Sequence, residues 1–335
     1  MRIVLCYPVT DQHVDQLTQA FPEAEIVDAG QSRINDALPT ADIFIGHAKV
    51  PVDWDRVVTA GRLKFIQSSA AGLDHCLTPP VIDSDIPVAG AAGLFAPQVA
   101  EQTFAILFGL LRGLPRFFDA ETRHEFVRLP TDDLRGKTVG IVGLGGNGRE
   151  IARMLSPWSV RLIATDFYPV DRPSHVDQLW PADRLDDLVA QSDIVILTPP
   201  LNAQTHGMID ASVLQNFKPG GYLINVARGP IVVESALVAA LDSGRLSGAG
   251  LDVTEVEPLS IESALWNRDN VIITPHVGAQ SYRRVDDTTD FACVNVRRFL
   301  DGERPHNIVD KTLGFPHPRD SYRNIDLLDA FAAKG

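Results

Sequence analysis

Apolar residues along the chain fall in short runs, and these alternate with stretches of helical spacing. Residues 3–7, 42–46 and 63–68 are compact apolar runs of strand length. Residues 11–21 instead place Val14, Leu17 and Phe21 on one side of a helix. Alternation of this kind predicts a parallel sheet with helices on its faces, an α/β fold. A second alternating series extends from Thr138 to about His276. Between the two series, residues 96–118 read as a long apolar helix interrupted by Gly113 and Pro115. Glu101, Gln102 and Arg112 argue against a membrane span there and for a helix buried between domains or subunits. Residues 119–137 are polar and read as a connector, residues 281–300 read as a helix, and the tail from Gly314 carries no periodic pattern.

Composition narrows the class. A length of 335 residues predicts about two domains, and a content of 45% hydrophobic against 22% charged residues suits a buried core rather than disorder. The net charge of −13 argues against nucleic acid or an anionic membrane as partner. No apolar stretch reaches the roughly 20 residues of a membrane span, and the opening run is shorter than a signal peptide requires. Cys6, Cys76 and Cys293 are widely spaced and odd in number. They exclude a disulfide scaffold or a cysteine-rich zinc module, predict no metal, and fit a cytoplasmic protein.

The first chemical signal follows the strand predicted over residues 138–142. Gly143-Leu144-Gly145-Gly146-Asn147-Gly148 fits G-x-G-x-x-G, residues 149–155 read as a helix, and the next predicted strand, 160–165, ends at Asp166. In such a loop Gly143 permits the tight turn, Gly145 lets the backbone approach a pyrophosphate, and Gly148 allows close helix–strand packing. The helix N-terminus offers unpaired N–H groups to phosphates. Asp166 stands eighteen residues beyond Gly148, close to the spacing of the acid that accepts from ribose hydroxyls. A 2′-phosphate would meet a like charge there, so NAD (NADH) is expected in preference to NADP. A Gly-rich turn and a surface acid are the plainer readings of these residues taken singly. The ordered succession of strand, loop, helix, strand and acid favours a dinucleotide.

Four further segments, Asn225-Val226-Ala227-Arg228-Gly229-Pro230, Gly250-Leu251-Asp252-Val253, Glu257-Pro258-Leu259 and Thr274-Pro275-His276, complete a pattern with the glycine loop. Over nearly its whole length the chain resembles the D-isomer-specific 2-hydroxyacid dehydrogenases. The resemblance implies two similar doubly wound domains. A flavodoxin-like substrate domain would comprise residues 1–97 plus 282–335, and an inserted Rossmann NAD-binding domain residues 98–281. It also implies a homodimer built through the crossing helix 96–118.

In such enzymes the catalytic trio maps onto Arg228, Glu257 and His276. An arginine fork can grip the carboxylate and carbonyl oxygens of a 2-keto acid. A histidine can give a proton to the carbonyl oxygen as hydride arrives and take it back in reverse. A glutamate can hold the imidazole and favour its charged form. Taken alone, Arg228 could cap a strand end, Glu257 could be a loop acid, and His276 could be structural. The resemblance further implies cofactor contacts from Gly143, Gly145, Gly146, Asn147, Gly148, Asp166, Pro200, Thr205, Val226, Ala227, Arg228, Asp252, His276 and Gly278. Substrate contacts would come from Arg228, His276 and the backbone of Ala71 and Gly72 in the loop Ser69-Ala70-Ala71-Gly72-Leu73-Asp74. Gln98 and Glu101 lie near the site in relatives, though a buried inter-domain hydrogen bond is as good a reading of Glu101.

Departures from the pattern bear on specificity. Asn147 stands where many relatives carry an apolar residue, and Val277-Gly278-Ala279-Gln280-Ser281 replaces the usual run after the histidine. An acid at Glu257, where formate dehydrogenases of the family carry glutamine, argues for keto-acid chemistry. In the loop Gly46-His47-Ala48-Lys49-Val50 only Lys49 is a fixed cation, with His47 a possible second. A small unphosphorylated acid such as glyoxylate or hydroxypyruvate is therefore expected ahead of phosphoglycerate, the substrate of a short-type D-3-phosphoglycerate dehydrogenase. The alternative of another class is an NAD-sensing, corepressor-like binding protein.

Overall fold

The structure is a computed structural model that describes residues 1–321. It divides into two compact units, Met1–Phe95 with the chain from Ser281 onward, and Ala96–Gln280.

The first unit is built on five parallel strands: β1 (Arg2–Cys6), β2 (Glu25–Asp28), β3 (Ile43–Gly46), β4 (Phe65–Ser68) and β5 (Val88–Ala89), in the order β2-β1-β3-β4-β5. Both faces are covered, which explains why these strands read as unbroken apolar runs. Side chains alternate between two cores. Ile3, Leu5, Ile43, Ile45 and Phe65 pack with Leu17 and Phe21 and with Ala292 and Val296 of helix Arg284–Leu300. Val4, Cys6, Phe44 and Ile66 pack with Ile34, Leu38, Trp54 and Val81 on the opposite face. Each fully buried Ile, Leu or Phe contributes about 1.5–3 kcal/mol. The described part of the chain beyond Gly314 adds Phe315–Pro316, paired antiparallel with Val309–Asp310. The rest of the expectation for that tail lies outside the described residues.

The second unit carries seven parallel strands: β6 (Thr138–Val142), β7 (Arg161–Asp166), β8 (Gln178–Pro181), β9 (Ile194–Leu197), β10 (Gly221–Asn225), β11 (Leu246–Leu251) and β12 (Val271–Ile273). Their order is β12-β11-β10-β9-β6-β7-β8, so the direction of winding reverses between β6 and β9. Ligands of open α/β sheets bind at the carboxyl ends of strands at such a reversal. The glycine loop leaves β6 at that place.

The long apolar helix expected over 96–118 is two helices, Ala96–Leu111 and Leu114–Thr122. Gly113 takes a left-handed φ of 64° between them, and Pro115 stands in the first turn of the second, where its missing N–H has no helical partner to lose. The first helix lays Ile106, Leu107 and Leu110 on the sheet. At Gly250 of β11 an added Cβ would collide with Ile106, so the helix rests directly on strand backbone there. Among the described residues no helix is long and apolar enough to cross a membrane.

A buried amide network fastens helix Arg284–Leu300 to β4. Asn295 Nδ2 donates to Gln67 Oε1 at 2.7 Å and to the His306 carbonyl at 3.0 Å, and its Oδ1 accepts from His306 N at 2.9 Å. Both side chains are buried. Replacing Asn295 with Ala strands those partners. Stability to urea should fall by about 2–4 kcal/mol, and an unchanged unfolding midpoint would show that water replaces the amide.

Candidate active site

Gly143 and Gly148 of the loop each meet a distinct steric demand. Gly143 has φ 88°, and a Cβ on it would come within 2.9 Å of Pro199 N, so the turn needs a residue without one. A Cβ on Gly148 would collide with the Gly143 carbonyl, so helix Gly146–Leu155 packs closely on the turn before it. A Cβ on Gly145 would meet nothing within 4 Å. Open space lies beside the one glycine whose expected role is to admit a pyrophosphate. The helix has no side-chain cap, so its first-turn N–H groups remain available to an anion. Thr198, just past β9, donates through Oγ1 to the Gly143 carbonyl at 2.5 Å and ties the loop to the neighbouring strand. These features fit a dinucleotide.

Arg228, Glu257 and His276 follow β10, β11 and β12, three adjacent strands. All three therefore stand at the carboxyl edge of one sheet. His276 Nδ1 lies 2.9 Å from Glu257 Oε2. With the carboxylate ionised, Nδ1 is the donor, and Nε2 is the ring nitrogen left for other work. The two side chains are 45% and 39% exposed, so the pair is open to solvent and to small molecules. Glu257 Oε1 also accepts from Thr254 N at 3.3 Å.

The backbone of His276 is held by Asp252. His276 N donates to the Asp252 carbonyl at 2.7 Å. The Asp252 carboxylate accepts from Thr274 Oγ1 at 2.6 Å, Val277 N at 3.0 Å and Gly278 N at 2.8 Å. His276 itself has a left-handed φ of 53°, uncommon for a residue with a side chain. Arg228 is positioned by Asn225, whose side-chain oxygen accepts from Ala227 N at 3.0 Å and whose amide donates to the Arg228 carbonyl at 3.0 Å. Arg228 Nη1 donates to the Ala227 carbonyl at 2.7 Å. A Cβ on the next residue, Gly229, would collide with the Thr254 carbonyl, so the arginine turn presses on the chain that leads to Glu257.

Other expected residues have partners of their own. Asp166 ends β7, and its two oxygens accept from Leu144 N at 2.6 Å and Tyr168 N at 2.8 Å. Burial pushes its carboxyl above the usual range, against the pull of those two bonds and of Arg149. Asp166 thus braces the glycine loop. Thr205 Oγ1 donates to the Pro200 carbonyl at 2.6 Å, closing a turn beyond β9. Val226 and Ala227 are buried, and Gly278 lies against Asp252. Asn147 is half-buried near the start of its helix, and Glu101 is exposed on helix Ala96–Leu111. Ala71 and Gly72 belong to the first unit, in the loop after β4, with Ala71 exposed.

Three residues that hold the site escaped the sequence reading. Asn225 and Thr274 stand inside motifs quoted for other members. Gln102 is a polar residue on an apolar helix, and its Nε2 donates to Thr274 Oγ1 at 3.0 Å. Their signal is a polar side chain next to a buried strand end, where no periodicity demands one.

Comparison with known proteins bears on this arrangement. The family model described as D-isomer specific 2-hydroxyacid dehydrogenase, NAD binding domain, matches residues 104–278. A glyoxylate reductase of Thermofilum pendens is 32% identical over 285 residues, 82% of this chain and 83% of that protein. A D-3-phosphoglycerate dehydrogenase of Mycobacterium tuberculosis is 32% identical over 270 residues, 80% of this chain but 51% of that protein, so the chain spans about half its length. An NADPH-dependent glyoxylate/hydroxypyruvate reductase from Sinorhizobium meliloti, solved with NADP and sulfate, superposes with a TM-score of 0.80 at 29% identity. That match covers 93% of this chain and 99% of the other. With the glycine loop and the triad of strand ends in place, the chain belongs to the D-isomer specific 2-hydroxyacid dehydrogenase family and is an NAD-dependent oxidoreductase acting on CH–OH groups.

Proposed function

We propose that the chain interconverts a small unphosphorylated 2-keto acid, glyoxylate or hydroxypyruvate, with the corresponding 2-hydroxy acid (the D-isomer where C2 is chiral), using NADH in preference to NADPH. The observation that carries this reading is the 2.9 Å bond between His276 Nδ1 and Glu257 Oε2 at the same sheet edge as Arg228. When bound, the dihydronicotinamide supplies hydride to the carbonyl carbon. His276 gives a proton to the carbonyl oxygen from Nε2 and takes it back in the reverse direction. Glu257 fixes the ring and offsets its charge. Arg228 holds the carboxylate, its planar fork matching two oxygens at once. Gly143, Gly145, Gly146, Asn147 and Gly148 would hold the pyrophosphate, with Asp166, Pro200 and Thr205 along the adenosine side. Val226, Ala227, Asp252 and Gly278 would line the nicotinamide end.

The first unit serves as the substrate domain in this reading, with backbone N–H groups of Ala71 and Gly72 as donors to the substrate. A second reading, a short D-3-phosphoglycerate dehydrogenase, draws support from the mycobacterial relative and from Lys49, exposed after β3. The exposed Phe118 (59%) and Trp158 (44%), the latter tilted 51° against Phe108 with ring centroids 4.9 Å apart, suit burial against a second copy, as a homodimer through this region requires. Free thiols at all three cysteines suit a cytoplasmic location.

Oxidation of NADH by the purified protein against glyoxylate, hydroxypyruvate, pyruvate and phosphohydroxypyruvate tests the substrate. Preference for the phosphorylated acid would overturn the first reading in favour of the second. His276→Ala should lower turnover by about 10²–10⁴-fold while NADH still binds; near-normal turnover would remove His276 from the chemistry. Asp166→Ala should narrow the preference for NADH over NADPH and weaken NADH binding as the glycine loop loses its brace, measured by quenching of protein fluorescence. Wild-type preference for NADPH would contradict the role given to Asp166. Asp252→Asn turns an N–H group toward the donors at 274–278. Stability should fall by about 1–3 kcal/mol and kcat should fall with it; an unchanged kcat would show that His276 is held by other contacts.

A further inference from the structure

Helix Ala96–Leu111 is seated closely on two strands of the second unit. A Cβ on Gly109 would come within 2.6 Å of Ile272 Cδ1 of β12, just as one on Gly250 of β11 would strike Ile106. Gln102, Ile106 and Gly109 stand at i, i+4 and i+7 and share one face of the helix. The contacts at 106 and 109 therefore fix the height and rotation of Gln102 above the end of β12. Its helix neighbours Val99, Thr103 and Ile106 are buried, and Gln102 itself is half-buried. A side chain that only had to pack there would be aliphatic, because an amide taken from water costs free energy unless its hydrogen bonds are made.

The amide is used at the strand end. Gln102 Nε2 donates to Thr274 Oγ1 at 3.0 Å, and Thr274 Oγ1 donates to Asp252 Oδ1 at 2.6 Å. The order of donor and acceptor along this chain is forced. An amide nitrogen can only donate, a carboxylate can only accept, and a hydroxyl has one proton and two lone pairs. With the amide nitrogen toward Thr274, the single hydroxyl proton goes to Asp252. The backbone beside it is held by the same two residues. Thr274 N donates to the Leu251 carbonyl at 2.9 Å and His276 N to the Asp252 carbonyl at 2.7 Å. Val277 N and Gly278 N donate to the two oxygens of the Asp252 carboxylate at 3.0 and 2.8 Å. Pro275 has no N–H, so every backbone donor from 274 to 278 ends on Leu251 or Asp252. The Thr274 hydroxyl is the rotatable member of this set, and Gln102 is the group that orients it.

We propose that Gln102 is a positioning residue for His276. Its amide fixes the direction of the Thr274 hydroxyl, and through Asp252 it fixes the backbone that carries the imidazole. It acts through those two residues and not on the substrate. The relay needs a donor at position 102, so a side chain of the same size that can only accept works against it. This rests on the role given to His276 above and deepens it.

The test compares wild type, Gln102→Met and Gln102→Glu in the oxidation of the 2-hydroxy acid, with NADH binding by fluorescence as the check on folding. Gln102→Met keeps the length and removes the donor. Its kcat should fall by about three- to tenfold with KM little changed, as expected for one lost hydrogen bond. Gln102→Glu makes the relay depend on pH. Protonated, the new carboxyl donates to Thr274 as the amide does; ionised, it can only accept and opposes the relay. The charge of Asp252 two bonds along the chain favours the protonated form. Activity is therefore present at low pH and lost as pH rises through the pKa of the new carboxyl. His276 acts as base in this direction, so wild-type kcat should rise with pH to a plateau. Gln102→Glu should add a fall on the alkaline side, to a level below Gln102→Met, and Gln102→Met should keep the wild-type shape. Equal kcat of the two variants at about pH 9 with NADH binding intact, or a Gln102→Met variant with wild-type kcat, would overturn the proposal. If Gln102→Glu fails to bind NADH, Gln102→Met decides: a loss confined to kcat supports the positioning role, and a loss carried by KM overturns it. If wild type binds NADH yet turns over no 2-hydroxy or 2-keto acid, the proposed function falls, and NMR of the His276 ring nitrogens decides the positioning role. Ring signals that differ between wild type and Gln102→Met at one pH would support it, and coincident signals would overturn it.

Discussion

A buried carboxylate organises the sheet edge that carries Glu257 and His276. Asp252 is 2% exposed, and a carboxylate out of water is tolerated only when its lone pairs are filled. Its three donors, Thr274 Oγ1, Val277 N and Gly278 N, all come from the chain that leaves β12. Satisfying the charge therefore closes that chain around the end of β11 and brings His276 into a left-handed conformation between two of the bonds. Because Asp252 begins the loop that leads to Glu257, one group fixes the backbone before the glutamate and the backbone around the histidine. The 2.9 Å bond between the two side chains is the outcome of that arrangement. Two exposed groups in mobile loops would gain little from pairing. Here the loops are ordered first by a buried charge.

The glycine loop obeys the same logic with steric means. Gly148 brings the helix onto the turn, Gly143 makes the turn possible, and Thr198 and Asp166 hold it from the strands on either side of β6. Gly145 meets no such internal demand: a Cβ there would touch nothing within 4 Å, which separates it from glycines present for packing, such as Gly250 under Ile106.

Much of this was legible in residue order. Strands covered on both faces read as apolar runs, and the motifs that end them are short and specific. The break at Gly113 was marked by its own residues, although the length of the apolar run hid the division into two helices. Strand β8, Gln178–Pro181, lies at an edge, half-buried at best, and carries no apolar run to reveal it. Asp166 was expected to receive a ribose, but the backbone bonds that already engage both its oxygens depend on how the glycine loop folds back, which residue order does not encode. Asn225, Thr274 and Gln102 act through contacts between elements. The stack of His47 on His75 joins loops from neighbouring strands across twenty-eight positions of sequence, a separation at which no periodicity speaks.

The charge balance sets a condition that the local chemistry has to meet. A protein of net charge −13 that handles an anionic dinucleotide and an anionic acid gains nothing from its overall field. At physiological ionic strength that field is screened beyond about 8 Å, so the contest is decided within the site. The donors that the proposed function assigns to it are of three fixed kinds: first-turn N–H groups of an uncapped helix, loop backbone, and the guanidinium of Arg228. Fixed donors do not have to be ordered when the anion arrives, and backbone N–H groups bring no mobile side chain. A chain with few local cations must place them where the reacting group will be. In the proposed function the half-buried Arg228, held through its carbonyl by Asn225, would meet that requirement without help from the rest of an acidic surface.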